Sequence, residues 1–134
     1  MTHEEKISWL SRYREAEKLY QRLSFRLAEA QEATRHITQN LSAAPGGSKD
    51  GQSLARAVER EEEAERRAYA QLAVLDALFA EIDAALVQLD ANEYCALRKY
   101  YLDGLKGEQV AADMNFTSRG IFALRRRAIE HLKL

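Results

Sequence analysis

The sequence predicts an all-α protein: a long N-terminal antiparallel helical hairpin, coiled-coil-like, followed by a C-terminal domain of three short helices with helix-turn-helix spacing. Three observations predict it. Apolar residues recur at alternating spacings of three and four over two stretches of more than thirty residues each. One Pro and six Gly interrupt 134 residues, which favours long helices. The last third, from Leu89 to Leu134, breaks into short segments of helical period divided at Gly104 and at Asn115-Phe116.

Thr2 and Glu5 have the spacing of a capping box at the start of the first helix. Trp9, Tyr13, Ala16, Tyr20, Leu23, Leu27, Ala30, Thr34, Ile37 and Leu41 then form a heptad seam with one polar member, Thr34. Core packing is the expected role of Trp9, Tyr13 and Tyr20, which all fall on that seam, with an aromatic docking patch as the alternative. Ser42 to Gln52, with its Pro and Gly cluster, reads as a flexible connector. Leu54, Val58, Glu61, Glu65, Ala68, Leu72, Leu75, Phe79, Ile82, Leu86 and Leu89 give the second seam, polar only at Glu61 and Glu65. Each seam is about 50 Å long at ~1.5 Å per residue. A lone hairpin buries one narrow stripe per helix, so residues 1–89 are read as a hairpin and oligomerisation region that associates with a second copy, a dimer being favoured. The alternative is a monomer in which the C-terminal domain packs back on the hairpin.

The acidic run Glu61-Glu62-Glu63 with Glu65 reads as a solvated helical face, with Glu62–Arg66 and Glu63–Arg67 as surface ion pairs at i, i+4. Glu61 and Glu65, on the seam itself, would face solvent near the loop or set the register of a partner helix.

Residues 90–134 form the second expected domain. Asp90 with Glu93 would cap its first helix. Of Tyr100 and Tyr101, one should pack and the other lie nearer solvent. Val110, Ala111 and Met114 would be the buried face of one helix, Asn115-Phe116 the turn, and Ile121, Leu124, Ala128 and Leu132 the buried face of the next. Ala111 is small enough for two crossing helices to approach closely. Thr117 is placed to cap the last helix. With Ile121 inward, a rotation of about 100° per residue puts Arg119, Phe122, Ala123, Arg126, Arg127, Glu130 and Lys133 on the outer half. Arg125 falls beside the core stripe and is assigned to packing or a salt bridge.

Composition narrows the function. The formal charge of −1 hides an asymmetry: residues 1–90 balance at −4 and residues 91–134 at +3. Nucleic-acid binding, if present, belongs to the C-terminal part and should depend strongly on salt. Cys95 cannot form an intrachain disulfide and reads as a small buried thiol. His3, His36 and His131 are scattered without metal-ligand spacing, and Gly46-Gly47 lacks a following phosphate-loop pattern. No nucleophile stands paired with a base, so neither an enzyme nor a cofactor is expected. No apolar run approaches the roughly 20 residues of a membrane span, and the charged N-terminus lacks a signal-peptide core. The expectation is a cytoplasmic protein that does not engage a membrane.

Leu89, Glu93, Leu97, Arg98 and Tyr101, then Gly104-Leu105, then Glu108-Gln109-Val110-Ala111, then Thr117, Ile121, Ala128 and Leu132 resemble the promoter-recognition domain, region four, of bacterial sigma factors. The match covers about a third of the chain. In size and layout the whole chain is similar to small phage and prophage late-transcription regulators of the ArpU and RinA type, which carry such a domain at the C-terminus. Lys106 stands where that family usually has a Ser or Thr cap, and Gly120, Phe122 and Ala123 stand where sigma factors carry longer polar side chains. The resemblance implies a DNA-binding transcription regulator that also touches RNA polymerase.

On that reading the helix 117–132 enters the major groove of double-stranded DNA. Arg119 is the candidate base reader, since Arg to guanine is the commonest specific contact. Arg126, Arg127, Lys133 and Lys106 are candidate phosphate contacts. Phe122 faces a thymine methyl or a partner protein, and Thr117, Ser118 and Ala123 complete the surface. Two other classes share these features: a small-terminase-like phage DNA-packaging protein, and an RNA-polymerase-binding adaptor without DNA affinity of its own.

Overall fold

A computed structural model describes residues 1–43 and 48–134, with no side-chain account of residues 42–50. The chain is all-α: helices make up 87% of it, and no strand occurs among the described residues. α1 spans His3–Ala43, α2 Ser48–Leu86, α3 Ala91–Leu97, α4 Gly107–Met114 and α5 Ser118–His131. Residues 44–47, the centre of the expected connector, lie outside the described residues. The rest of that connector is helical: α1 runs through Ala43 and α2 begins at Ser48. None of the described helices is long and apolar enough to cross a membrane.

The chain forms two compact units, Met1–Glu17 with Leu75–Leu134, and Lys18–Val74. The boundary expected between Leu89 and Asp90 falls inside the first of them.

In the first unit, α1 opens on the expected capping box. The Glu5 N–H donates to Thr2 Oγ1 at 3.1 Å, and the Thr2 N–H donates to Glu5 Oε2 at 3.3 Å. The core that follows draws on four helices. Leu10 of α1, Ile82 and Leu86 of α2, Leu97 of α3, and Ala128, Ile129 and Leu132 at the end of α5 are buried together with Tyr101 and Leu102. Trp9, Tyr13 and Phe79 pack around this cluster, with Tyr13 edge-on to Phe79 at 5.9 Å. The start of α1 therefore belongs to the same core as the C-terminal helices. Leu10 and Ile129 lie one residue beside the expected seams because each faces this shared core and not a single partner helix.

α3 starts at Asp90, whose carboxylate accepts from the Glu93 N–H at 2.9 Å. That hydrogen bond holds the Asp90 carboxyl below its usual range. α3 then widens into a π turn over Arg98–Leu102, closed by the Asp103 N–H donating to Arg98 O at 2.9 Å. Tyr101 and Leu102 of this turn both reach the core, while Tyr100 remains half-buried. Cys95 is half-buried, not the fully buried thiol expected; the neighbouring Ala96 and Leu97 fill the core positions. Gly104 has φ +76°, and a Cβ there would collide with the Arg14 guanidinium, so this turn needs glycine.

In the second unit every expected α1 seam residue from Tyr20 to Leu41 is half-buried. The α2 seam is displaced. Leu54, Ala57, Glu61, Ala64, Ala68 and Gln71 are its less exposed positions, whereas Val58, Glu65 and Leu72 are exposed. Ala30, Ala33 and Ile37 of α1 line one groove with Ser53, Ala57 and Arg60 of α2. Alanine on α2 admits the close approach that Val58 and Leu72 would obstruct. In the acidic run, Glu63 takes both Arg66 at 2.7 Å and Arg67 at 2.9 Å, while Glu62 acts on Arg66 only as a more distant charge.

Candidate nucleic-acid interface

α4 and α5 are joined by a short turn whose geometry follows from three residues. Asn115 adopts the left-handed conformation at φ 58°, which Asn tolerates better than most side chains. The Phe116 N–H returns to Ala111 O at 2.8 Å, satisfying an end carbonyl of α4. Thr117 then caps α5, its hydroxyl accepting from the Gly120 N–H at 3.0 Å. At the other end of α4, Gln109 Oε1 accepts from the Lys106 N–H at 2.9 Å. The Lys106 ammonium can only donate, so it cannot supply the reciprocal bond that a Ser or Thr would make.

The two helices share a small core of Val110, Ala111, Ile121 and Leu124 with Ala96, against which Met114 and Leu105 pack. This fixes which side of α5 faces out. Ser118, Arg119, Phe122, Ala123, Arg126 and Arg127 are all exposed, and Phe122 keeps 62% of its surface in solvent. The candidate residues of α5 thus occupy its outer face, as helical rotation requires.

Charge on this face is uneven. No ion pair engages Arg119 or Arg127 among the described residues, while Arg126 Nε lies 3.7 Å from Glu130 Oε1. That contact is exposed and weak. Lys133 is exposed but lies beyond the last residue of α5, so the helical rotation that put it on this face does not apply to it. Lys106 is exposed at the cap of α4.

Arg125 takes the inward role expected for it. Its guanidinium lies 3.5 Å from the Tyr100 ring centre, and Gly107 of α4 approaches its Nη1. A cation over the face of an aromatic ring is attracted by the ring quadrupole. The neighbouring Tyr101 hydroxyl is pushed up chiefly by burial, with Arg125 opposing. Arg125 therefore ties α5 to the π turn.

Several contacts that position α5 have no local signature. The Lys6 ammonium of α1 donates to Ile129 O at 3.1 Å and Glu130 O at 3.3 Å, placing a cation at the negative end of the α5 dipole. His131 Nδ1 lies 2.8 Å from Glu93 Oε2, and Glu93 is buried. The pair joins the last turn of α5 to the first turn of α3. His3, Glu4 and Ile7 of α1 line a groove with Phe122, Arg126 and Ile129 along one flank of α5. A small network, Arg98 Nη1 to Tyr94 Oη and Tyr94 Oη–H to Asp83 Oδ1, both 2.6 Å, binds α3 to the end of α2. The Asp83 bond raises the Tyr94 hydroxyl above its usual value.

Among the described residues no three His, Cys, Asp or Glu side chains are grouped to hold a metal ion. Compared with known proteins, the chain matches no family model, no curated protein and no solved structure.

Proposed function

We propose that the protein is a sequence-specific DNA-binding transcription regulator of phage or prophage origin, in which α4 and α5 act as a helix-turn-helix carried by a helical hairpin. The single observation that supports it best is the exposure of Arg119, which makes no ion pair among the described residues, on the outer face of α5 beside the capped N-terminal turn that a major-groove helix presents to bases. Arg119, one residue inside the Ser118 start of α5, is the base reader. Arg126, Arg127, Lys106 and Lys133 engage phosphates. Thr117 and Ser118 sit where the free N–H groups of the first turn meet the backbone. Phe122 and Ala123 are the apolar contacts of the set.

Fluorescence anisotropy tests this reading, with a duplex from upstream of the protein's own gene against a random duplex at two salt concentrations. Affinity should fall steeply with salt and favour the first duplex. Arg119→Ala should cost roughly 1–3 kcal/mol of specific binding and relax sequence preference. An unchanged affinity and preference in that variant removes Arg119 as reader, and an absence of binding at low salt removes the DNA function.

One observation favours a second reading. Phe122 is a large exposed apolar side chain beside the groove lined by Ile7 and Ile129, which suits an adaptor contacting RNA polymerase through the outer face of α5. That protein would show no salt-dependent affinity for DNA.

A further inference from the structure

The second unit carries two exposed faces of opposite character. On α2, Val58, Glu62, Glu65, Tyr69 and Leu72 recur at spacings of four and three, and all five are exposed. Relative to the inward Ala64 and Ala68, a rotation of about 100° per residue gathers them on one flank. On α1, Leu19, Arg22, Phe25 and Arg26 are likewise exposed. Phe25 keeps 67% of its surface in solvent and Tyr69 63%. Single exposed apolar residues are ordinary, but three apolar residues and two glutamates on one flank at coiled-coil spacing are what a helix presents to a partner helix.

The charges decide the partner. The apolar residues of α2 are set among Glu62 and Glu65, and Phe25 of α1 lies among Lys18, Arg22 and Arg26 with one acidic neighbour, Glu29, a basic excess. Other charged residues of this unit find partners nearby, Glu63 with Arg66 and Arg67, and Glu32 with Arg35. Among the described residues no close ion pair engages Arg22, Arg26 or Glu65, and Glu62 acts on Arg66 only as a more distant charge than Glu63. The longer acidic-apolar face of α2 and the shorter basic-apolar face of α1 are complementary in charge, so a second copy of the chain offers each face its counterpart.

We propose that the protein self-associates through this unit: the Leu19–Arg26 face of α1 docks on the Val58–Leu72 face of α2 in a second copy. In a two-fold dimer each pairing occurs twice, since residue i meets j and j meets i. Phe25 and Tyr69 provide the apolar contact, and the arginines and glutamates set orientation and exclude like pairing.

Sedimentation equilibrium on the full chain without DNA tests the interface, so its failure would leave the DNA reading standing. One variant carries Arg22→Glu and Arg26→Glu, making both faces acidic; another carries Glu62→Arg and Glu65→Arg, making both basic. All four positions are exposed, and circular dichroism checks that helix content is kept. Each variant alone should lose at least about tenfold in self-affinity through like-charge juxtaposition. An equimolar mixture should form a 1:1 heterodimer, and a chain carrying all four substitutions should dimerise again. A wild type that stays monomeric at ~100 µM, a range where even weak specific association registers, would overturn the proposal. So would variants that self-associate like wild type, or a mixture and a four-fold variant that both stay monomeric.

Discussion

Leu10→Ala should destabilise the first unit by about 3–4 kcal/mol although the residue lies near the start of α1, far in sequence from the C-terminal helices. Leu10 is fully buried among Ile82, Leu86, Leu97, Ile129 and Leu132. Truncation to Ala removes three carbon groups from that contact, about 2.4 kcal/mol at ~0.8 kcal/mol for each. The cavity left behind adds to this, because neighbours from four helices cannot all relax into it, and the total falls in the roughly 2–5 kcal/mol range of buried Leu→Ala changes. Urea unfolding read by circular dichroism and by Trp9 fluorescence measures it. Trp9 is the only Trp in the chain and packs against this cluster, so its emission reports docking of α1 directly. A loss below about 1 kcal/mol with an unchanged denaturant slope, the mark of a surface substitution, would refute the claim that α1 completes the core around α5.

Thr117→Ala removes the hydroxyl that accepts from the Gly120 N–H and should cost about 1 kcal/mol in the same unfolding measurement. Thr117→Asn should recover most of it, since Asn caps comparably. Asp90 gives a pH dependence with a definite sign. The Glu93 backbone N–H holds its folded carboxyl below the unfolded value, so its contribution is present above about pH 4, the ordinary aspartate value, and lost as pH falls through the lower folded value. The stability gap between wild type and Asp90→Ala should therefore narrow as pH is lowered through that window. A gap that stays constant to pH 2 would exclude an ionised cap.

Much of this architecture is legible in the sequence, and its limits have physical causes. The α1 seam and the inner and outer faces of α5 follow from helical rotation, and the caps at Thr2, Asp90 and Thr117 from side-chain chemistry at fixed offsets. The α2 seam does not, because apolar periodicity favours Val58 over Ala57, whereas closely packed helices prefer the smaller surface. Ser48–Gln52 is written in turn-like residues yet is helical. The π turn over Arg98–Leu102 leaves no mark in the residue pattern, since adjacent buried pairs like Tyr101-Leu102 also occur in the regular helices at Val110-Ala111 and Ala128-Ile129. On the candidate interface, the exposure of Arg119 and Phe122 and the inward turn of Arg125 could be read in advance. Lys6 and the Glu93–His131 pair could not, since their partners are distant in sequence and carry no local mark.

The core built around Leu10 joins two stretches of chain with residues 18–74 between them. Closing a flexible segment of that length costs roughly 3–4 kcal/mol of chain entropy, on the logarithmic dependence of closure on loop size. Helix pairing within the intervening stretch reduces this, because an ordered connector has less freedom left to lose. The residues from Leu75 onward make local contacts that can form early, and the start of α1 joins them as a tethered ligand at millimolar effective concentration. Severing the chain between the two stretches would convert that tethered docking into a bimolecular encounter. The Lys6 clamp on the last turn of α5, and with it the seating of the outward arginines, would then become dependent on protein concentration.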